Sequence, residues 1–216
     1  MKYCLLTSAP VAAMHFLYYT QTHRIKFSEV IVVEPTSGRS DLLREYAGIN
    51  GFNIHGVDDP NDETCQDLLC SIKPDVMVLI ISSIITRRIL EIPNIATVNA
   101  HAGILPQYRG VDSRRWAILE GGPVGVTCHL VDAGVDTGPI LAQRFLDIER
   151  GDTIQTLSER NYYVNKWQTL VDGLTRLKEN NMQPKLQRCS SGRQYFWMHS
   201  RLARLVDELL IYRTKS

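Results

Sequence analysis

The sequence predicts an α/β protein built on a mostly parallel, twisted sheet. Three observations lead to this prediction: short apolar runs rich in β-branched residues, amphipathic segments between them, and two consecutive strands late in the chain. Of the 216 residues, 44% are hydrophobic and 22% charged, which excludes a disordered, collagen-like or coiled-coil chain. We expect one domain over residues 1–184 and a C-terminal extension over residues 185–216.

The first half of the chain alternates strands and helices. Ser8 is placed to cap the first helix, Pro10 suits its first turn, and Gly48 is expected to end the second helix. Strands that alternate with helices favour right-handed parallel crossovers, and ligands bind beyond the carboxyl ends of such strands. The pattern predicts strands at 3–7, 30–33, 52–55, 76–81 (a central strand) and 96–99, and helices at 10–22, 40–47, 63–72 and 86–90.

The alternation stops after residue 99. A helix is expected at 112–120, and strands at 124–131 and 140–146 are joined by a loop too short for a crossover, so they pair antiparallel or lie on different edges. One long helix is expected at 153–177, with an apolar stripe formed by Leu157, Val164, Trp167, Val171 and Leu174.

The extension carries an aromatic run, 195–197, and then an amphipathic helix. Its apolar positions have the spacing of one helix face, so we expect the helix to pack on the same domain or on the partner in a homodimer. These positions are Leu202, Leu205, Val206, Leu209 and Leu210.

Charge and cysteine content narrow the possible partners. The 24 basic and 23 acidic residues nearly balance, so we expect no nucleic-acid or membrane partner. The 5 cysteines contain no C-x-x-C pair, which favours a reduced, cytoplasmic protein without a metal site.

One constellation of polar residues predicts chemistry. Asn99 and His101 point to the same side of an extended strand, and Asp136 follows in a glycine-containing loop. An amide, an imidazole and a carboxylate suit attack by an amine on a carbonyl: Asn99 and a charged His101 donate to the developing oxyanion, while Asp136 orients the histidine or relays a proton. His129, inside a strand, is expected to be a buried structural histidine.

Two motifs resemble those of the formyltransferases that use 10-formyltetrahydrofolate. Residues 99–110 read N-A-H-A-G-I-L-P-Q-Y-R-G, and residues 125–140 read G-V-T-C-H-L-V-D-A-G-V-D-T-G-P-I. The resemblance implies a Rossmann-like formyltransferase fold, an N-formyltransferase activity with 10-formyltetrahydrofolate as co-substrate, and a catalytic set formed by Asn99, His101 and Asp136.

The resemblance also implies residues that bind each substrate. An apolar slot with a few backbone hydrogen bonds suits the flat pterin. The expected folate-binding residues are Ser83, Ile84, Ile85, Leu105, Pro106, Asp132, Ala133, Gly134 and Val135. The expected acceptor-binding residues are Ser8, Ala9, Pro10, Tyr108, Arg109 and Gly110.

Several acceptors remain open. We favour a small-molecule amine, a nucleotide-linked amino sugar, whose diphosphate and base could be held by Arg114, Arg115, Trp116 and the aromatic run. Glycinamide ribonucleotide comes next, although Ser8, Ala9 and Pro10 make a poor phosphate nest. The short stretch after Pro184 argues against methionyl-tRNA. A 10-formyltetrahydrofolate hydrolase and a non-catalytic folate-binding module are lesser alternatives.

Overall fold

The computed structural model describes residues 1–34, 41–179 and 184–214. It divides into two compact units, Met1–Asn99 with Leu130–Ala133, and Ala100–His129 with Gly134–Ser216. Within the described residues, no helix is long and apolar enough to cross a membrane.

The first unit contains a parallel sheet in the strand order β3-β2-β1-β4-β5. β1 and β4 lie between other strands and are buried along their whole length, as the unbroken apolar run at 76–81 predicts. Its elements are β1 (Tyr3–Thr7), α1 (Pro10–Gln21), β2 (Phe27–Val33), α2 (Asp41–Asn50), β3 (Asn53–Val57), α3 (Glu63–Ile72), β4 (Val76–Ile80), α4 (Arg87–Leu90) and β5 (Ala96–His101), whose last two residues belong to the second unit.

Local capping explains where these helices begin and end. α3 has its predicted bounds because the Asp62 side chain accepts a hydrogen bond from the Cys65 N–H at 2.7 Å. The cap predicted for α1 is wrong: Ala9 is the N-cap residue, and its N–H donates to Thr7 Oγ1. Pro10 does open the helix, as expected.

The prediction that Gly48 ends α2 is also wrong, and the predicted start at Ser40 lies outside the described residues. The helix continues to Asn50, whose side chain donates to the Tyr46 carbonyl at 2.8 Å. Gly51, with φ +73°, takes the position after the helix that Gly48 was expected to take. Hydrogen bonds in the last turn thus outweigh the low helix propensity of one glycine.

The second unit contains the antiparallel pair predicted from the short connection, β7 (Val124–Leu130, whose last residue belongs to the first unit) with β8 (Ile140–Leu146). A second, parallel pair joins β6 (Tyr108–Gly110) to β9 (Arg193–Tyr195). The other elements are α5 (Ser113–Glu120), α6 (Ile154–Glu159), a π-helical turn (Arg160–Asn165), α7 (Lys166–Lys178), a 3₁₀ turn (Cys189–Ser191) and α8 (Ser200–Thr214). The mostly parallel α/β class with added antiparallel strands is therefore confirmed.

The helix expected at 153–177 forms, but the π-helical turn changes its face. Leu157, Trp167 and Leu174 are buried, whereas Val164 is 50% exposed. A π-helical turn has more residues per turn than an α-helix. Val164 lies in this turn and is therefore rotated out of the predicted apolar stripe.

The amphipathic helix of the extension packs on α5 through Val206 and Leu210. Arg115 of α5 binds both carboxylate oxygens of Asp207, at 3.0 and 3.1 Å. Leu205, predicted to belong to the apolar face, is 59% exposed, so the buried face is narrower than expected.

Candidate active site

The Asp136 carboxylate is the centre of a cluster in the second unit. Its Oδ2 atom lies 3.3 Å from Nδ1 of His101 and accepts a hydrogen bond from the Gly110 N–H at 2.9 Å. Its Oδ1 atom lies 3.4 Å from Nε2 of His129. Both oxygens of one carboxylate are therefore held, from three segments of the chain.

Local backbone features bring these groups together. His101 is the last residue of β5, and Gly110, with φ +88°, ends β6. The register of β7 and β8 shifts between Cys128 and His129, and such a bulge re-aims the side chain that follows it. Asp136 itself has φ +53°, a left-handed conformation that is rare for residues other than glycine.

The electrostatics of the cluster keep Asp136 ionised. Burial alone would raise the pKa of Asp136, but the pairing with His129, the charge of His101 and the Gly110 N–H together lower it to about 2. Burial lowers the pKa of His101, although Asp136 and the Tyr108 carbonyl oppose that shift.

The His101 ring faces hydrogen-bond acceptors at both nitrogens. Nε2 lies 2.6 Å from the Tyr108 carbonyl oxygen, and because a carbonyl only accepts, Nε2 donates. Nδ1 faces the Asp136 carboxylate, with 3.3 Å between Nδ1 and Oδ2. The ring and the carboxylate together are thus poised to take up one proton, and a primary amine releases one when it adds to a carbonyl.

His129 contributes more than the sequence suggested. It is 1% exposed, as expected of a buried histidine, yet its ring faces Asp136 rather than only the core. Two residues before it, Thr127 accepts from the Leu105 N–H at 3.1 Å and donates to the Gly103 carbonyl at 2.8 Å. No signal in the sequence predicted the bulge. Only the spacing of the motif indicated contacts of this kind for His129 and Thr127.

The remaining expected residues of the second unit differ in their exposure. Leu105 is 2% exposed, and its peptide bond to Pro106 is cis. Tyr108 is buried, Arg109 is half-buried, and the loop before Asp136 includes the exposed Gly134 and the half-buried Val135.

The expected residues of the first unit have mixed exposure. Asn99 lies on β5 two residues before His101. Ile84 is 80% exposed, whereas Ile85 packs into the core. The remaining members are exposed or half-buried: Ser8, Ala9, Pro10, Ser83, Asp132 and Ala133. In the described part of the chain, no group of three or more His, Cys, Asp or Glu side chains could hold a metal ion.

Residues 34–174 match the family described as formyl transferase. A methionyl-tRNA formyltransferase from Thermodesulfovibrio yellowstonii is 35% identical over 128 residues, 58% of this chain and 41% of that protein. One from Legionella pneumophila strain Corby is 33% identical over 147 residues, 67% of this chain and 46% of that protein. The chain thus spans less than half of the length of these relatives.

Solved structures share the fold at low identity. A sugar N-formyltransferase from a Shewanella species has a TM-score of 0.70 at 18% identity, covering 99% of this chain and 87% of that one. Glycinamide ribonucleotide transformylase 1 from Symbiobacterium toebii has a TM-score of 0.70 at 22% identity, covering 87% and 93%. The formyltransferase PseJ from Anoxybacillus kamchatkensis, solved with a UDP-linked formamido sugar and tetrahydrofolate, has a TM-score of 0.57 at 22% identity, covering 90% and 85%.

Proposed function

Because the chain belongs to the formyl transferase family, whose members are enzymes that transfer formyl groups from formyl-tetrahydrofolate, we propose that it formylates a primary amine of a small molecule with 10-formyltetrahydrofolate. The observation that carries this proposal is the geometry of the pair: the ionised Asp136 carboxylate lies 3.3 Å from Nδ1 of the buried His101 ring. Such a pair can take a proton from an attacking amine and needs no covalent nucleophile.

The proposed roles follow from the chemistry of each group. The Asn99 amide and the His101 ring donate to the formyl oxygen as it gains negative charge. In the free protein the His101 Nε2 atom donates to the Tyr108 carbonyl, so that hydrogen bond is exchanged when the substrates bind. Asp136 stabilises the protonated ring, and His129 keeps the carboxylate oriented.

The residues expected to bind the folate are chemically suited to it. Ile84 presents an apolar side chain that is 80% exposed, which suits contact with a flat ring. Residues 132–134 are exposed, which suits a loop that contacts the pterin. When bound, 10-formyltetrahydrofolate supplies the formyl group, and these residues hold the pterin.

For the acceptor we favour a nucleotide-linked amino sugar. A cavity of about 220 Å³ in the second unit is lined by Arg114, Arg115 and Trp197, besides Ala102, which directly follows His101. Trp197 is 79% exposed and could stack on a base. In this cavity Asp112 is already engaged, because it accepts from the Met198 N–H at 2.9 Å.

Arg114, which lines this cavity, and Lys166, whose pKa responds to the charge of Arg114, would both gain from an anionic ligand bound there. Burial, and then the neighbouring Arg115, lower the pKa of Arg114 to about 10. Burial and the charge of Arg114 lower the pKa of Lys166 to about 8. Among the described residues, the buried Arg114 Nε atom has no hydrogen-bond partner. A diphosphate would stabilise both charged forms.

The loop that follows β1, residues 8–10, is a poor alternative site for a phosphate. The Ser8 N–H donates to the Ile80 carbonyl at 3.2 Å, the Ala9 N–H donates to Thr7 Oγ1 at 3.0 Å, and Pro10 has no N–H. These contacts support a sugar nucleotide over glycinamide ribonucleotide. Methionyl-tRNA is the second candidate acceptor, favoured by the relatives that are 35% and 33% identical.

The test is formylation of a panel of amines by the purified protein. The panel contains amino-sugar nucleotides, glycinamide ribonucleotide, methionyl-tRNA and a reaction without amine, with tetrahydrofolate release and acceptor mass as readouts. We expect tetrahydrofolate release only with an amine, and a formylated amino-sugar nucleotide.

The other outcomes identify the alternatives. Formylated methionyl-tRNA or glycinamide ribonucleotide would reassign the acceptor. Equal release with and without amine would indicate a hydrolase. Folate binding without turnover of any panel member would indicate a binding module. The Asp136→Asn variant serves as the inactive control.

A further inference from the structure

We propose that Gln187 is a positioning residue for Asp136. It lies in residues 185–195, which we call the strap, and the inference rests on the proposed function of the Asp136 site. Gln187 is outside both sequence motifs, and it acts on the carboxylate from the far side of the loop that carries it.

The Gln187 carboxamide holds the backbone of the Asp136 loop. Its Nε2 atom donates to the Asp136 carbonyl at 3.1 Å and to the Gly138 carbonyl at 2.6 Å. Asp136 has φ +53°, a conformation that persists only where the surroundings enforce it. The two hydrogen bonds fix the peptide groups on the carboxyl side of Asp136, and so they set the direction of its side chain.

The strap is itself fixed on both sides of Gln187. Lys185 exchanges two backbone hydrogen bonds with Ile140, at 2.8 and 3.0 Å. The Arg193 N–H donates to the Gln107 carbonyl at 3.1 Å, which begins the pairing of β9 with β6. Backbone hydrogen bonds therefore hold the strap in place on both sides of Gln187.

The same strap also pairs with β6, the strand that contacts both His101 and Asp136. β6 contains the Tyr108 carbonyl, which accepts from His101, and the Gly110 N–H, which donates to Asp136. β9 pairs with the backbone of these residues in parallel register. One chain segment thus sets the positions of both members of the proton-accepting pair.

The two N–H groups of Gln187 account for its position. Its Oε1 atom is buried and has no partner within the described residues, so a hydrogen-bond acceptor is not what this place requires. Methionine matches glutamine in length and has no N–H donor. Glutamate has no donor either, and it places negative charge against two carbonyl oxygens.

The test compares Gln187→Met and Gln187→Glu with Leu186→Met. Leu186 is the neighbouring strap residue and is 77% exposed, which makes it a matched control. The first readout is the ¹⁵N NMR pH titration of the His101 and His129 rings, assigned with His101→Gln and His129→Gln. Thermal melting confirms that each variant is folded.

We expect the ring signals of Gln187→Met to move toward those of Asp136→Asn, and those of Leu186→Met to superimpose on the wild type. On an acceptor that the panel identifies, kcat should fall about 10-fold to 100-fold while the KM for 10-formyltetrahydrofolate is unchanged. Gln187→Glu should show a larger loss. If it does not fold, the two methionine variants decide alone.

Ring titrations of folded Gln187→Met that match the wild type would overturn the proposal. The NMR readout needs no acceptor. If no panel amine is formylated but the rings respond to Gln187, the proposed function fails and the positioning role stands. If an amine is formylated at the wild-type rate by Gln187→Met, the positioning role fails and the function stands.

Discussion

Asp136, with the loop around it, and the loop 83–85 were both expected to contact substrates, yet the two loops are held very differently. In the first, His101, His129, Gly110 and Gln187 hold Asp136 through its side chain and its carbonyl. In the second, Asn61 donates to the Ile84 carbonyl and accepts from the Thr86 N–H, while the Ile84 side chain is 80% exposed. The difference matches the proposed roles, because a group that transfers a proton must be fixed in advance, whereas a group that covers a ring can remain adaptable.

The largest effect should come from replacing the proposed catalytic side chains. We expect His101→Ala and Asp136→Asn each to lower kcat by about 100-fold or more, because they act mainly in the transition state. Asn99→Ala should lose a similar amount through its lost donation to the oxyanion. Steady-state kinetics and tetrahydrofolate binding measure this, and Asp147→Asn, at an exposed site, is the control. Near-normal turnover in any of the three would remove that residue from the mechanism.

The next effect tests how tightly the strap packs on β6, whose Gly110 N–H donates to Asp136. A Cβ at Gly110 would lie 2.2 Å from the Tyr195 carbonyl oxygen, and the residue has φ +88°. Gly110→Ala should therefore lower the free energy of unfolding by about 3 kcal/mol through overpacking and strain. Gly121 has φ +68° and open space around it, so Gly121→Ala should cost only about 1 kcal/mol. Urea unfolding measures both variants. An equal loss of unfolding free energy in Gly110→Ala and Gly121→Ala would contradict the close packing of Gly110 on Tyr195.

A smaller effect concerns pH. The pKa of Asp136 is about 2 in the folded protein against an ordinary value of 3.8, so the unfolded chain binds more protons between these values. Asp136 should therefore contribute about 2 kcal/mol above pH 4 and lose this contribution as the pH falls toward 2. The stability difference between the wild type and Asp136→Asn, measured by urea unfolding from pH 6 to pH 3, should shrink with acid. A difference independent of pH would show that Asp136 titrates normally.

The smallest effect should come from the adaptable loop. Ile84→Ala should weaken tetrahydrofolate binding about fivefold, because roughly 1 kcal/mol of apolar contact is lost. Its free energy of unfolding should stay within about 0.5 kcal/mol of the wild type, since the side chain is exposed. Ile95→Ala, 50% exposed in the same unit, should change neither quantity. Unchanged affinity in Ile84→Ala would remove Ile84 from the folate site.

The sequence predicted the features whose cause is local. α3 ends where Lys73 and Pro74 were expected to stop it, and the antiparallel pairing of β7 with β8 follows from the short loop between them. The left-handed conformation of Asp136 had no such signal, because glycines stand at other positions of the same loop and the contacts that hold it are distant in sequence.

Long-range contacts explain what the sequence left out. Gln187 is 51 residues from Asp136, and no periodic pattern marks a residue that donates to a remote carbonyl. The three-residue strand β9 ends at Tyr195, the first residue of the aromatic run that suggested base stacking. Tyr195 instead packs on Tyr108 and Trp116, with ring centroids 5.6 and 5.2 Å apart. Phe196 and Trp197 are exposed and remain the candidates for stacking on a base.

The position of the strap along the chain also determines when the site can form during synthesis. β1 to β4 pair with strands that are made early in synthesis, whereas β6 pairs with β9, which is made late. A nascent chain therefore contains the partners of β1 before it contains Gln187. Contacts that span long sequence separations are slow to form, because the cost of loop closure precedes their gain. The contacts that hold Asp136 in the proposed site are thus complete only after residues 185–195 have been made.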